Sequence, residues 1–506
     1  MLEKKRDNKD KAYSYINLIL RGAEKILGAN FSVNGLENIL SDDNNKQPIL
    51  FVSNHFTRAE TFFVPYIINK YSNRRPRSLA HGSLFKGTLG NILESLGALS
   101  TSNPNRDKII LNNLITAHDD WIIYPEGAML KSKEIQKSKR FVNYTPERQG
   151  PTRTGSAVLA IKSEIYRDQI IEAFKNKDAE SLDYFRKNFD IKDFKGLEKF
   201  NTKIVPLTVS YYPLRPGKNK IQNIAQRLVK AIPKEVIEEL EIEGNLLLNA
   251  EININFLKPI DVSEYISSAK KTIYQIPVIK NETKSSLIIK YYKNKLTYDF
   301  MNKIYSNIQI NFDHIFSATL LFLKNKTVDK TYLKQVIYLS ASMINSCKKY
   351  NLNESIDKAI LFKLFSDESN KEFESVYELA KKQKIIQEVG KNKVKIVKDL
   401  TKNDHDFHQI RIENSLFVIA NEFLLLQIAS DIVKRNSKLG RIAIREKIFD
   451  DIYRNDLAEY ESDYRKYFDK KYSKSEEIGR PFVIKGNLID KININANSKT
   501  KRKIGI

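Results

Sequence analysis

The chain has 506 residues, 41% of them hydrophobic, and a formal net charge of +24 at pH 7. This length exceeds what one hydrophobic core usually supports and the composition is that of a globular protein, so we expect at least two domains and exclude a wholly disordered chain. The positive charge favours anionic partners, namely nucleic acid, anionic lipid or phosphorylated ligands, and a lone cysteine, Cys347, excludes an intrachain disulfide framework.

The N-terminal segment has the pattern of an amphipathic helix. Residues 11–28 place apolar side chains at helical spacing and end at Gly28, which suits a left-handed helix cap. They lack the unbroken apolar core of a signal peptide, and we interpret residues 1–30 as a packing helix. The most apolar stretch, residues 415–433, is interrupted by polar side chains and predicts a buried helix rather than a bilayer span. Any membrane contact should therefore be peripheral.

Short apolar runs that alternate with helical patterns predict an α/β sheet. These runs lie at residues 31–35, 48–52, 121–124, 204–210 and 252–256. A helix is expected over residues 60–71, and a charged helical insert over residues 165–198, which we interpret as a surface excursion. The predicted fold is thus a mixed sheet flanked by helices.

A mainly helical C-terminal domain is expected to follow the sheet. Beyond Pro259 the chain has few glycines or prolines, which places a domain boundary near residue 270 and assigns residues 270–490 to that domain. Within it, residues 373–398 have the pattern of a helix followed by a hairpin. The tail, residues 491–506, is predicted to be disordered.

A histidine follows the second predicted strand directly, in the pair Asn54-His55. Side chains at the carboxyl end of such a strand face the crevice where α/β sheets bind ligands, and histidine is well suited to accept a proton from a hydroxyl. The nearest carboxylate, Glu60, would hold the other ring nitrogen if His55 precedes the next helix. Thr57 and Glu60 also match a capping box, with Thr57 as the N-cap, so helix capping is the alternative role of Glu60.

A second carboxylate follows the strand at residues 121–124. The sequence there is Tyr124-Pro125-Glu126-Gly127, in which the glycine permits close approach of a ligand. Such a turn is common by itself. The turn is informative here because it follows Asn54-His55 along the chain.

Taken together, residues 31–261 resemble the glycerolipid acyltransferases of the phosphate acyltransferase type, and we assign residues 31–265 to an acyltransferase domain. The family motifs are Asn-His followed after four residues by an acid, then Phe-Pro-Glu-Gly, then a Val-Pro strand, which is Val205-Pro206 here. The resemblance implies direct acyl transfer from an acyl-CoA or acyl-ACP thioester to a hydroxyl, without a covalent enzyme intermediate or further cofactor. His55 would be the general base and Glu60 its orienting partner.

The chain departs from the family pattern at positions that matter for the acceptor. Most relatives have aspartate where Glu60 stands, and the Thr-Arg pair that usually follows Pro-Glu-Gly is replaced by Ala128-Met129. The arginine expected just after residues 97–99 is also displaced, because residues 100–103 intervene before Arg106.

The resemblance still implies an acceptor side to the crevice, formed by Glu126 and Gly127. Arg106, Lys131 or Arg153 could substitute there as the cation that binds the acceptor phosphate. Each of the three is more simply explained as a solvated surface charge than as a ligand.

The C-terminal half weakly resembles the larger glycerol-3-phosphate and dihydroxyacetone-phosphate acyltransferases at residues 312–321 and 412–416, which favours the glycerol-3-phosphate branch. The resemblance implies a role in phospholipid synthesis at the cytoplasmic face of a membrane. The expected partners are an anionic membrane surface, acyl-CoA or acyl carrier protein, and a phosphorylated glycerol acceptor. The histidines lack the convergent ligands of a metal site, so no metal is expected.

Two other functions are compatible with the sequence. A catalytically inert relative could serve as a lipid-binding or scaffold protein, since Glu60 replaces the usual aspartate. The positive charge and the winged-helix-like pattern of residues 373–397 are compatible with nucleic-acid binding, but that region lacks an arginine-rich recognition helix, so we expect no nucleic-acid partner.

Overall fold

A computed structural model describes residues 30–40, 47–56, 60–80, 82, 85, 93–94, 97–127, 132–136, 140–144, 149–212, 250–273, 283–323, 326–346, 350–354, 356, 371–382 and 384–397. The predicted N-terminal helix, the apolar helix over residues 415–433 and the C-terminal tail lie outside these residues.

The chain divides into two compact units. The first comprises Met1–Leu130, Pro151–Tyr211 and Pro216–Ile304, and the second comprises Lys131–Gly150, Tyr212–Arg215 and Tyr305–Ile506.

The described strands, in chain order, are β1 (Asn30–Asn34), β2 (Ile49–Ser53), β3 (Arg77–Ala80), β4 (Leu99–Ser100), β5 (Trp121–Ile123), β6 (Ser132–Gln136), β7 (Arg140–Tyr144), β8 (Gln149–Pro151), β9 (Lys203–Tyr212), β10 (Glu251–Phe256), β11 (Ile260–Asp261), β12 (Thr327–Asp329), β13 (Ile386–Val389) and β14 (Lys393–Ile396). The described helices are α1 (Glu37–Leu40), α2 (Glu60–Ser72), α3 (Arg106–Thr116), α4 (Gly155–Lys175), α5 (Ala179–Phe189), α6 (Val262–Ile273), α7 (Lys284–Ser306), α8 (Phe312–Phe322), α9 (Lys330–Ser346) and α10 (Lys371–Lys382).

An 8-stranded mixed sheet forms the first unit, with strand order β1-β10-β9-β2-β5-β3-β4 and β11 paired to β9. The pairs of β2 with β5 and with β9 are parallel, as are β3 with β5 and with β4, whereas β11 is antiparallel to β9. Helix α2 packs near β3 and α4 near β2. The predicted α/β class, a mixed sheet flanked by helices, is therefore confirmed.

The central strands form because their side chains are apolar on both faces. Every residue of β2 and of β5 is buried, and Phe51 and Trp121 have no exposed surface. A strand covered on both faces requires such a continuous apolar run, which is why β2 and β5 could be predicted from the sequence. The predicted strands at residues 31–35, 204–210 and 252–256 correspond to β1, β9 and β10.

The interpretation of the helical insert as a surface excursion is wrong for its first helix. Helix α4 begins at Gly155 and buries much of its length, including the charged pair Glu164 and Arg167, at 3% and 1% exposure. It packs against α3 and α5. Charged residues indicated a solvated helix, but these two neutralise each other inside the protein.

The buried pair is part of a hydrogen-bonded network. Arg167 forms an ion pair with Glu164, donates from Nε to the Ile115 carbonyl at 3.2 Å, and donates from a terminal nitrogen to the Thr202 hydroxyl at 3.1 Å. The Thr202 backbone N–H donates to Glu164 at 2.6 Å, and the Ser163 and Thr202 hydroxyls lie 2.9 Å apart. The network joins α4 to the end of α3 and to the segment that enters β9.

The second unit contains helices and two three-stranded sheets, ordered β6-β7-β8 and β12-β14-β13. The helix and hairpin predicted over residues 373–398 are present as α10, β13 and β14. Its buried aromatic core includes Phe316 and Phe373, whose ring centroids are 6.0 Å apart. None of the helices in the described part of the chain combines the length and the apolar character that a membrane span requires.

Candidate functional site

The predicted site residues follow neighbouring strands at one edge of the sheet. Strand β2 lies between β5 and β9 and is parallel to both, so the carboxyl ends of these strands share one edge. His55 lies just beyond β2, Glu126 lies just beyond β5, and Tyr211 lies near the end of β9. Segments distant in sequence are thereby brought together at the edge where α/β sheets bind ligands.

The backbone at His55 is fixed on both sides. The amide of Asn54 donates from Nδ2 to the Val209 carbonyl at 2.9 Å and accepts from the Val209 N–H at 2.8 Å, so its side chain continues the ladder between β2 and β9. The His55 backbone N–H donates to Glu126 Oε2 at 2.9 Å, and Glu126 is only 1% exposed. These buried contacts fix where the histidine leaves the sheet.

The imidazole of His55 pairs with Glu60. His55 Nδ1 lies 2.9 Å from Glu60 Oε2, and the side chains are 15% and 0% exposed, respectively. An ionised carboxylate can only accept hydrogen bonds, so Nδ1 carries the proton in this contact and Nε2 becomes the basic nitrogen. This arrangement matches the predicted base and its orienting carboxylate.

Glu60 also performs the alternative role considered from the sequence. Its two oxygens accept the Phe56 backbone N–H at 3.1 and 2.9 Å, at the entry to α2. Thr57, the predicted N-cap, lies outside the described residues. The carboxylate therefore holds the backbone before the helix and orients the imidazole at the same time.

Two tyrosines surround this pair. The hydroxyl of Tyr211 donates to Glu60 Oε1 at 2.8 Å, and that of Tyr124 donates to the Glu60 backbone carbonyl at 3.0 Å. The Tyr124 ring stacks on the His55 ring at 4.3 Å between centroids. Burial raises the pKa of Tyr124 well above its ordinary value, and the Glu60 charge raises it further. Tyr124 therefore stays protonated and remains a donor.

The turn after β5 brings Arg153 to the site. Gly127 has φ of +70°, and a Cβ there would lie 2.7 Å from Arg153 Nε, so the guanidinium side chain packs directly over the glycine. The Arg153 N–H donates to the Pro125 carbonyl at 3.0 Å, and Arg153 is exposed. An exposed cation thus packs against the turn that follows Glu126.

The other predicted cations are placed differently. Arg106 begins α3 and donates to the Thr101 carbonyl at 3.0 Å and to Asp107 at 2.8 Å, so its guanidinium is engaged by its own loop. Lys131 and the pair Ala128-Met129 lie outside the described residues. Of the proposed phosphate-binding residues, Arg153 is the one that the structure places against the Pro125–Gly127 turn.

The sequence did not reveal the supporting roles of Asn54, Tyr124 and Tyr211. Asn54 and Tyr124 belong to the sequence motifs, but the motifs predict no contact for either side chain. The feature of the sequence that could have indicated a role for them is their position just beyond buried strands. Tyr211 is harder to predict, since it lies 151 positions from its partner Glu60.

In the part of the chain that the structure describes, no three His, Cys, Asp or Glu side chains are grouped so as to hold a metal ion. Comparison with models of known protein families and with curated protein sequences gives no match.

Proposed function

We propose that the protein is an O-acyltransferase that moves a fatty acyl group from an acyl-CoA or acyl-ACP thioester to a hydroxyl of a glycerol phosphate-type acceptor. One observation carries the proposal, the 2.9 Å contact between His55 Nδ1 and Glu60 at the carboxyl edge of the sheet. It gives a half-buried imidazole a free basic nitrogen and a buried carboxylate partner. The motif resemblance supplies the reaction class for which this pair is suited.

The geometry is suited to direct transfer between two substrates. Nε2 of His55 accepts the acceptor's hydroxyl proton as the oxygen attacks the thioester carbonyl. Collapse of the tetrahedral intermediate forms the ester and breaks the C–S bond, and the imidazolium returns its proton to the departing sulfur. The Glu60 carboxylate stabilises the imidazolium between these steps.

The surroundings of the pair support a phosphorylated acceptor. Arg153 is exposed and packs over Gly127, and a guanidinium is the preferred side chain for bidentate binding of phosphate. The formal charge of +24 supports peripheral binding to the anionic, cytoplasmic face of a membrane. We extend the proposal to a glycerolipid acyltransferase-like fold for residues 31–265 and a mainly helical domain over residues 270–490.

Nucleic-acid binding receives less support. Helix α10, which would occupy the recognition position of a winged helix, has no net positive charge, because Glu372, Glu374 and Glu378 offset Lys371, Lys381 and Lys382. Phosphate backbones are bound by clusters of Lys and Arg, and acidic side chains on the reading helix oppose such binding.

An acceptor panel tests the proposal. Purified protein is incubated with long-chain acyl-CoA or acyl-ACP and with glycerol 3-phosphate, dihydroxyacetone phosphate, lysophosphatidate or a lysophospholipid. Thiol release and ester formation are then measured together. We expect matched amounts of both with at least one acceptor. Lipid binding in a vesicle flotation assay without thioester consumption would instead identify the inert lipid-binding alternative.

Substitution of Arg153 tests phosphate recognition. Arg153→Gln should raise KM for a phosphorylated acceptor by roughly 10-fold, because a charge-assisted hydrogen bond is lost, and leave KM for acyl-CoA unchanged. Arg186→Gln is the matched control, since Arg186 is an exposed arginine on α5. Equal KM values for Arg153→Gln and the control would assign the acceptor phosphate to another residue.

A further inference from the structure

The carboxylate of Glu60 is held from two sides. Oε2 faces His55 Nδ1 at 2.9 Å, whereas Oε1 accepts the hydroxyl of Tyr211 at 2.8 Å. Glu60 has no exposed surface, and Tyr211 is only 4% exposed. The hydrogen bond from Tyr211 is therefore a fixed, desolvated contact to a charged group, the class of hydrogen bond with the largest effect.

Tyr211 is itself held rigidly. Its ring packs against Phe56 and Phe63, with centroids 5.6 and 6.3 Å away. Its strand, β9, is tied to the His55 segment by the paired hydrogen bonds between Asn54 and Val209. The distance from the tyrosine hydroxyl to the imidazole is thus set by the sheet rather than by a mobile loop.

The fixed position of the Tyr211 hydroxyl matters because the residue that orients His55 is a glutamate. A glutamate has one more rotatable bond than an aspartate, so its carboxylate loses more freedom when it is positioned. The bonds from Tyr211 and from the Phe56 backbone define both oxygen positions and remove that freedom. An aspartate anchored at the same Cα is one methylene shorter, so the same backbone would place its carboxylate farther from the two donors and from His55.

We propose that Tyr211 is a positioning residue that completes a Tyr211–Glu60–His55 triad, and that this site is built for glutamate. Tyr211 acts through Glu60. Its hydroxyl fixes the carboxylate so that Oε2 points at His55 Nδ1. The inference rests on the proposed acyl transfer for its kinetic consequence, while the triad geometry can be measured without turnover.

The geometric test is a proton NMR experiment on the full-length protein. The proton between His55 Nδ1 and Glu60 should give a far-downfield resonance, identified by its loss in Glu60→Gln. In Tyr211→Phe, which keeps the ring and its packing, we expect this resonance to broaden or disappear because the carboxylate is released. Tyr166→Phe, which removes a half-buried hydroxyl on α4, should leave the resonance intact. An unchanged resonance in Tyr211→Phe would overturn the proposal, whatever the activity of the wild type.

The kinetic test separates positioning from folding. Tyr211→Phe should lower kcat by roughly 10-fold with KM for both substrates unchanged. Glu60→Asp should also lower kcat, and adding Tyr211→Phe to it should cause little further loss, because the aspartate no longer reaches the tyrosine. Wild-type kcat in Glu60→Asp would show that the site is not built for glutamate, and fully additive losses in the double variant would show that Tyr211 and Glu60 act independently. If the wild type acylates no acceptor, the acyltransferase proposal fails and the NMR result still decides the triad.

Discussion

Replacing His55 with glutamine is expected to lower kcat for acyl transfer by about 10²- to 10⁴-fold, the usual contribution of a general base. Glutamine is polar and of similar size but offers no basic nitrogen at the position of Nε2. Binding of both substrates should be preserved, so KM should change little. The initial rate of ester formation at saturating substrate measures the effect.

His118→Gln serves as the control for this variant. His118 lies in the same unit, just before β5, and its side chain is 68% exposed. We expect wild-type rates from it and an unchanged circular dichroism spectrum from both variants. Turnover of His55→Gln at the wild-type rate would remove the histidine from the mechanism.

Replacing Arg167 with methionine is expected to destabilise the first unit by about 3–5 kcal/mol, because Glu164 would be left buried without its cation. The two side chains are 1% and 3% exposed, so water cannot take the place of the missing partner. Urea denaturation followed by tryptophan fluorescence measures the loss. The chain has one tryptophan, Trp121, which is fully buried in β5 and reports on the sheet.

Two further variants separate the ion pair from general packing. The double variant Glu164→Gln with Arg167→Met should recover part of the stability, because no charge is then buried alone. Lys187→Met removes a partner from the exposed pair with Asp183 on α5 and should cost less than about 1 kcal/mol. Equal losses from Arg167→Met and Lys187→Met would show that the network contributes nothing.

The sequence predicted those parts of the fold that depend on local pattern. Strands β2 and β5 are continuous apolar runs because both faces are covered, and the helix beginning at Glu60 and the hairpin in the second unit follow equally local signals. The pair His55 and Glu60 was predictable for the same reason, since both residues lie within one strand-to-helix connection.

The rest of the site depends on tertiary pairing that no local pattern encodes. Tyr211 reaches Glu60, and Val209 reaches Asn54, only because β9 lies beside β2 in the sheet. The buried position of Arg167 was missed for a related reason. Its charge indicated solvent exposure. Glu164, one helical turn earlier, neutralises that charge, and the other hydrogen-bond acceptors, the Ile115 carbonyl and the Thr202 hydroxyl, come from distant segments.

The contact between Arg153 and Gly127 likewise required the structure. The sequence offers Arg106, Lys131 and Arg153 as candidate phosphate ligands. The backbone bond from Arg153 to Pro125 places it at the turn that carries Glu126, whereas Arg106 is engaged by its own loop. A local sequence pattern does not separate these two cases.

Acyl transfer by His55 is tested most directly by mass spectrometry of the ester product formed from isotope-labelled acyl-CoA and glycerol 3-phosphate, with wild type and His55→Gln compared at equal protein concentration. We expect a labelled glycerolipid ester from the wild type, in an amount equal to the thiol released, and little from the variant. Equal ester formation by both proteins would contradict the role of His55, and thiol release by the wild type without ester formation on any acceptor in the panel would contradict transfer to a hydroxyl acceptor.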